Sequence, residues 1–395
     1  MKFKLPKTLK PNKHAIFFIV VTLSMVAMIW FGVNRNVHAE RDVHESISWP
    51  SARVVEVIND QTDVNEVGAR VGWQDLRVRL LSGARRGDII EVHNMLFPIE
   101  QGVFAREGDR VILYFEHLPG AAHDDYFARV QSFDRAPAIY IVVLVFFALL
   151  AVVFGKTGIR SAFGLVFTFV VIIFLLIPLI VRGHPPALLT LAASLVITAV
   201  SLIAIMGFEK KTYVSIIGTA IGIACYAIFY LMIGAAIRVT GFNINEADTL
   251  IFLGFNVRVS ELLFCGILIA SLGALMDVAV SLASVAAEFS ETNPKSDFKT
   301  LFRSGMRIGR DIIGSSVNTL ILAFTGTFFI SLIFSYINNL HYNVIISRVD
   351  IGVEVLRAIS ASAAMILCAP ATALIGSRVY AAKQSGKKQG KKRVS

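Results

Sequence analysis

Residues 161–208 read SAFGLVFTFVVIIFLLIPLIVRGHPPALLTLAASLVITAVSLIAIMGF, and Arg182 is the sole formal charge in the stretch. Two apolar runs, Ser161–Val181 and Pro185–Phe208, flank a short polar connection. A bilayer core about 30 Å thick is crossed by roughly 20 apolar residues in a helix, because only there are all backbone N–H and C=O groups satisfied without water. The stretch therefore predicts two consecutive membrane spans.

Six further segments meet or approach that length: Ala15–Val33, Ala138–Phe154, Thr212–Ile237, Leu262–Ala287, Ile312–Tyr336 and Ile351–Ser377. Across 395 residues, 55% are hydrophobic and 17% charged, which excludes a disordered chain, a collagen-like fibre and an ordinary soluble enzyme. The expected fold is an α-helical polytopic membrane protein of about eight transmembrane helices, with a small β-rich extracytoplasmic domain between the first two. Four parts follow: residues 1–34, a basic tail and the first span; 35–137, the extracytoplasmic domain; 138–380, a seven-helix membrane domain; and 381–395, a second basic tail.

Orientation comes from the basic residues, which accumulate in cytoplasmic connections. With the N-terminus inside, the inner segments hold twenty-one Lys and Arg, whereas the short outer loops hold Arg182, Arg238, Arg258 and Arg348. All fifteen lysines fall inside, and residues 34–137 carry twelve Arg and no Lys. Both termini are expected in the cytoplasm. The first span, followed by Val37-His38-Ala39, also resembles a signal peptide, but its nineteen apolar residues exceed the usual stretch of about 7–15 and favour a retained anchor.

The extracytoplasmic region has strand-like runs at Ala52–Ile58, Leu76–Leu81, Asp88–His93, Arg110–His117 and Tyr126–Phe133, separated by glycine-containing turns. Their spacing predicts a small antiparallel barrel or sandwich, OB-like in outline. His93, His117 and His123 lack the spacing of a local metal site, so surface histidines are the expectation. Trp49 and Trp73 are expected in the core. Cys225, Cys265 and Cys368 lie in apolar runs and read as small hydrophobes rather than disulfide partners or metal ligands.

An ionisable side chain within a span costs roughly 2.5–3.5 kcal/mol on insertion scales and must face water or a partner. In the sixth span, Gly273, Asp277, Ser281, Ser284 and Glu288 recur at helical spacing on one face. In the seventh, Asp311, Ser315, Asn318, Thr319 and Thr325 form a comparable stripe. The two spans are antiparallel neighbours across an inside loop, which places both carboxylates in the cytoplasmic half, where they are expected to bind a cation or relay protons. The competing reading is structural: Asp277 pairs with Arg303, Arg307 or Arg310, and the serines bond to carbonyls of their own helix.

Elsewhere, Glu354 and Arg357 stand three residues apart, suited to a local ion pair. Gly218 and Gly222 form a small-xxx-small pair, more often a packing seam than a site. Pro178 and Pro370 interrupt their helices' hydrogen bonding, with or without a functional consequence. Asn245-Glu246-Ala247-Asp248 predicts the start of a short interfacial helix.

Gly207-Phe208-Glu209-Lys210-Lys211-Thr212, the run Gly273 to Ser284, the run Gly309 to Phe324, and Glu354 to Arg357 with Ala369 to Leu374 resemble the YibE/F family of bacterial membrane proteins. The resemblance covers most of the chain after about Ile139 and implies a multi-pass protein of the bacterial cell membrane, with a companion of the same family as a partner. It implies no defined biochemical activity.

Enzymatic motifs are missing. Gly155-Lys156-Thr157 mimics the end of a P-loop, but Leu150 stands where the motif needs Gly. No His-Glu-x-x-His or Gly-x-Ser-x-Gly occurs. The expectation is a non-enzymatic permease or exporter component, coupled to a cation or proton through Asp277 and Asp311, with Ser281, Ser284, Ser315, Asn318 and Thr319 along the path. The alternative is a non-transporting assembly or regulatory protein presenting its outer domain to a partner. No cofactor, metal or nucleic acid is expected, and the lipid bilayer is the one certain surrounding.

Overall fold

The computed structural model describes residues 13–34, 47–66, 68–97, 103–117, 126–239, 259–294 and 296–390, with side chains to 381. They divide into two compact units, one built from residues 38–153 and the other from 1–37 with 154–395.

The first unit contains strands β1 (Ile47–Ser48), β2 (Ser51–Val64), β3 (Arg70–Leu80), β4 (Ile89–Leu96), β5 (Arg110–His117) and β6 (Tyr126–Phe133). All pairings are antiparallel: β2–β3–β4 form a meander, β5 pairs with β2 and β1 along one edge, and β6 completes the other. Pro50, which lacks a donor for the ladder, separates β1 from β2. The result is a small antiparallel half-barrel, as the strand spacing leads one to expect.

Along β4 the side chains alternate strictly between exposed and buried, the period-two signature of a one-sided sheet. Leu76, Val78, Ile90, Val92, Leu113 and Phe115 fill its interior. One polar pair is buried with them. Gln74 and Asn94, opposite each other on β3 and β4, hold the segment before β5: the Ala105 N–H donates to Gln74 Oε1 at 3.1 Å, and Asn94 Nδ2 donates to the Val103 carbonyl at 2.8 Å. Trp49 departs from expectation. It is 54% exposed and stands edge-on to Tyr114, just past the end of β1. Trp73 is only partly covered, against His93.

The helices are α1 (Lys13–Asn34), α2 (Ala136–Val171), a π-helical segment (Ile172–Leu176), α3 (Ile177–Val181), α4 (Pro186–Met206), α5 (Lys210–Ala236), α6 (Val259–Thr292), α7 (Phe298–Thr327), α8 (Phe329–Ile337), α9 (Tyr342–Ile346) and α10 (Val349–Gly390). Six helical stretches are long and apolar enough to cross a membrane, and a seventh is obtained if α7 and α8, bent by 56°, count as one.

The second and third expected spans form one helical stretch, Ala136–Val181. It is not straight: Gly155 has φ +56° and ψ −131°, outside the helical region and in a left-handed conformation that favours glycine. The π-turn precedes Pro178, whose ring cannot donate back into the preceding turn; widening the helix there absorbs the missing bond.

In the second unit α10 packs on α5, α6 and α7, and α4 packs on α5 and α6. Helix–helix approach in lipid relies on small residues. The Gly218–Gly222 pair does so: a side chain at Gly218 would run into Thr372, and one at Gly222 would come within 3.0 Å of Leu275 and 3.2 Å of Cys368. The expected seam is therefore real. The three cysteines are free.

Candidate functional site

α6 is divided lengthwise. Leu268, Leu272, Leu275, Val278, Ala279 and Leu282 are buried against the bundle. Gly273, Asp277 and Glu288 occupy the opposite, exposed face, with Ser281 and Ser284 half-buried along it. Asp277 makes neither a hydrogen bond nor an ion pair among the described residues, so none of Arg303, Arg307 or Arg310 neutralises it.

α7 begins at an Asp297 cap, whose carboxylate accepts the Thr300 N–H at 3.1 Å; hydrogen bonding by Thr300 holds this carboxyl below its ordinary range. Leu301, Gly305, Gly309, Leu320 and Phe324 turn inward. Asp311, Ser315, Asn318 and Thr319 are exposed on the other side. Two of the hydroxyls bond within the helix, Ser315 to the Ile312 carbonyl at 3.0 Å and Thr319 to the Ser315 carbonyl at 2.9 Å, as the structural alternative anticipates.

The two stripes do not face each other across the α6–α7 contact. That contact is made by Gly309, where an added Cβ would lie 3.1 Å from Leu282 Cδ2. In the antiparallel pair, Asp277 stands five residues from Leu282 and Asp311 two from Gly309, both toward the same end. At 1.5 Å per residue they differ by about 4.5 Å in height. They occupy one layer of the domain, each on the outward face of its helix.

Glu354 and Arg357 form the expected ion pair at 3.1 Å, with the guanidinium over the Phe324 ring at 5.6 Å. Beside it Tyr226 donates to the Phe264 carbonyl and Tyr230 to the Ser260 carbonyl, each at 3.0 Å, linking α5 to α6. His93 Nδ1 lies 2.7 Å from Asp75 Oδ1, and the Asp75 carboxyl is held below its usual range chiefly by that bond and then by Asn59. His123 and the expected helix start at Asn245 lie outside the described residues. Among the described residues no group of three or more His, Cys, Asp or Glu side chains is gathered as a metal site.

Sequence reasoning passed over a stripe on α4. Thr190, Ser194, Thr198 and Ser201 are all buried, at intervals of four, four and three residues. Ser201 approaches the Gly164 carbonyl of α2 at 3.5 Å, while the hydroxyls of Ser194 and Thr198 have no partner among the described residues. Their spacing within 185–208 was the available signal.

The chain matches the family model described as YibE/F-like protein over residues 142–382. No curated protein and no solved structure matches it. This chain belongs to the YibE/F-like family.

Proposed function

We propose that this YibE/F-like protein is a permease or exporter component of a bacterial cell membrane, coupled to a cation or proton through Asp277 and Asp311. The observation that carries the proposal is Asp277: a carboxylate on a membrane helix, on an accessible face, with no partner among the described residues. Lipid cannot solvate such a charge, so water, a bound proton, a mobile cation or a partner chain must meet it. Asp311 lies in the same layer on a face of its own, so Ser281 and Ser284 extend the polar face of Asp277 while Ser315, Asn318 and Thr319 extend that of Asp311.

The accompanying topology has eight spans and both termini in the cytoplasm. A continuous stretch of 46 residues would be about 69 Å long, more than twice the hydrocarbon thickness. Division at Gly155 gives two lengths suited to one bilayer each, and Lys156 and Arg160 then fall in an inside connection, consistent with the lysine distribution.

Proton flux tests the coupling. Full-length protein in liposomes containing pyranine, driven by a valinomycin potassium potential, is expected to acidify or alkalinise the lumen faster than empty vesicles. Asp277→Asn is expected to reduce that flux at least about tenfold, since a positioned proton-transfer group contributes on that scale or more. Equal flux in the two proteins rules out the role of Asp277.

A second reading, a non-transporting assembly protein, is favoured by one feature of the half-barrel. Trp49, Tyr114 and Phe127 form an aromatic group with centroid spacings of 5.2 and 6.2 Å, and Trp49 and Phe127 are at least half exposed. Exposed aromatics of this kind anchor partners. A loss of the cellular phenotype on Trp49→Ala with flux absent from both proteins would select this reading.

A further inference from the structure

We propose that the cavity between α1 and the helix that follows Gly155 is a binding site for an anionic phospholipid. The cavity is about 340 Å³ and is lined by Phe18, Lys156, Ile159, Arg160 and Phe163. Lys156, Ile159, Arg160 and Phe163 stand at i, i+3, i+4 and i+7, one face of one helix, and this face looks onto Phe18 of α1. The Phe18 and Phe163 rings meet edge-on at 5.0 Å and close the cavity's apolar wall.

Two chemistries are thereby set side by side. Lys156 and Arg160 are the only formal charges between Ala138 and Val181, so they mark a membrane–water boundary between two apolar runs. Neither forms an ion pair among the described residues. Two cations one helical turn apart can share a single phosphodiester, the guanidinium by paired N–H donors and the ammonium as a point charge. Snorkelling to water would account for the cations alone. It does not account for an apolar hollow opening beside them, whose Phe18, Ile159 and Phe163 walls suit an acyl chain and offer nothing to a free phosphate ion. Basic recesses between membrane helices are the usual seats of acidic headgroups.

The site is independent of the transport reading, because it uses neither stripe. Native mass spectrometry of the full-length protein, with phosphatidylglycerol or phosphatidylcholine added, measures it directly. Wild type is expected to retain phosphatidylglycerol about thirtyfold more strongly than phosphatidylcholine, the combined effect of two interfacial cations. The double variant Lys156→Gln/Arg160→Gln is expected to lose that preference, whereas Lys210→Gln, an exposed cation elsewhere, retains it. Ile159→Gln, which leaves both cations in place, is expected to weaken retention as well. Three outcomes overturn the proposal: the double variant keeps its preference, Lys210→Gln loses as much as the double variant, or millimolar inorganic phosphate displaces the lipid completely and so identifies the site as one for free anions.

Discussion

The two units of this chain differ in what they show on the outside and in the polar groups they keep inside. In the half-barrel Leu76, Val78 and Leu113 are sealed inside, and Arg77, Glu56 and Glu91 form an ion-pair ladder across three strands on the outside. In the helical unit Leu231, Ile330 and Ile337 point outward, while Thr198, Thr219, Ser271 and Thr372 are buried. The first unit is driven by apolar area removed from water. In the second, lipid already satisfies the apolar surface, so helices adhere through close packing of small residues and interhelical hydrogen bonds. Apolar side chains are therefore gathered in the half-barrel's interior, whereas in the helical unit they occupy both the packed seams, as Leu275 and Leu356 do, and the outer face, as Ile330 does.

The largest expected effect is on the half-barrel. Leu113→Ala should cost about 2–5 kcal/mol, read as lost amide protection of β5 in hydrogen exchange on the full-length protein. The equivalent truncation at Ile330, 81% exposed on α8, should change helical-unit stability by less than about 0.5 kcal/mol. Comparable losses at both positions would break the contrast.

A second test concerns the glycines. Gly218→Val drives a branched side chain into Thr372 at the α5–α10 seam and should destabilise the helical unit by about 1–3 kcal/mol or more, lowering its melting temperature in detergent. Gly314→Val, at a position with nothing within 4 Å, serves as the control and should melt close to wild type. If both glycines tolerate Val equally, close approach is not what holds these helices.

The smallest effect sharpens the electrostatic side. Asp75 has its folded-state pKa lowered by His93 and Asn59, so the stabilisation exists above the unfolded value of about 3.9 and is lost as pH falls through the lower folded one. Because the pair is at the surface, it contributes at most about 1 kcal/mol. Asp75→Asn should therefore weaken β3–β4 protection at neutral pH, and the difference from wild type should vanish in acid. A difference that persists unchanged into acid would assign the effect to packing.

Much of this architecture was legible in the sequence because both units advertise themselves by period. Strand-like runs delivered all five main strands, and apolar length delivered six or seven candidate spans where eight were expected, the second and third running on as one stretch. What escaped depended on contacts between elements. Nothing local to Trp49 reveals that β1 stops just before it and leaves the ring uncovered. The bend after Thr327 has no proline to announce it. The polar stripes of α6 and α7 could be read residue by residue, yet their direction could not, because it is fixed by Gly309 seating against Leu282. Gly218, by contrast, was readable as a seam from its spacing with Gly222 alone.

The buried hydroxyls of α4 carry one energetic consequence. Thr190, Ser194 and Thr198 recur every four residues, about 6 Å of rise and about 40° past a full turn, so they trace a slowly winding polar thread along the helix. Among the described residues the Ser194 and Thr198 hydroxyls have no acceptor, and each forfeits the hydrogen bond that would offset its burial.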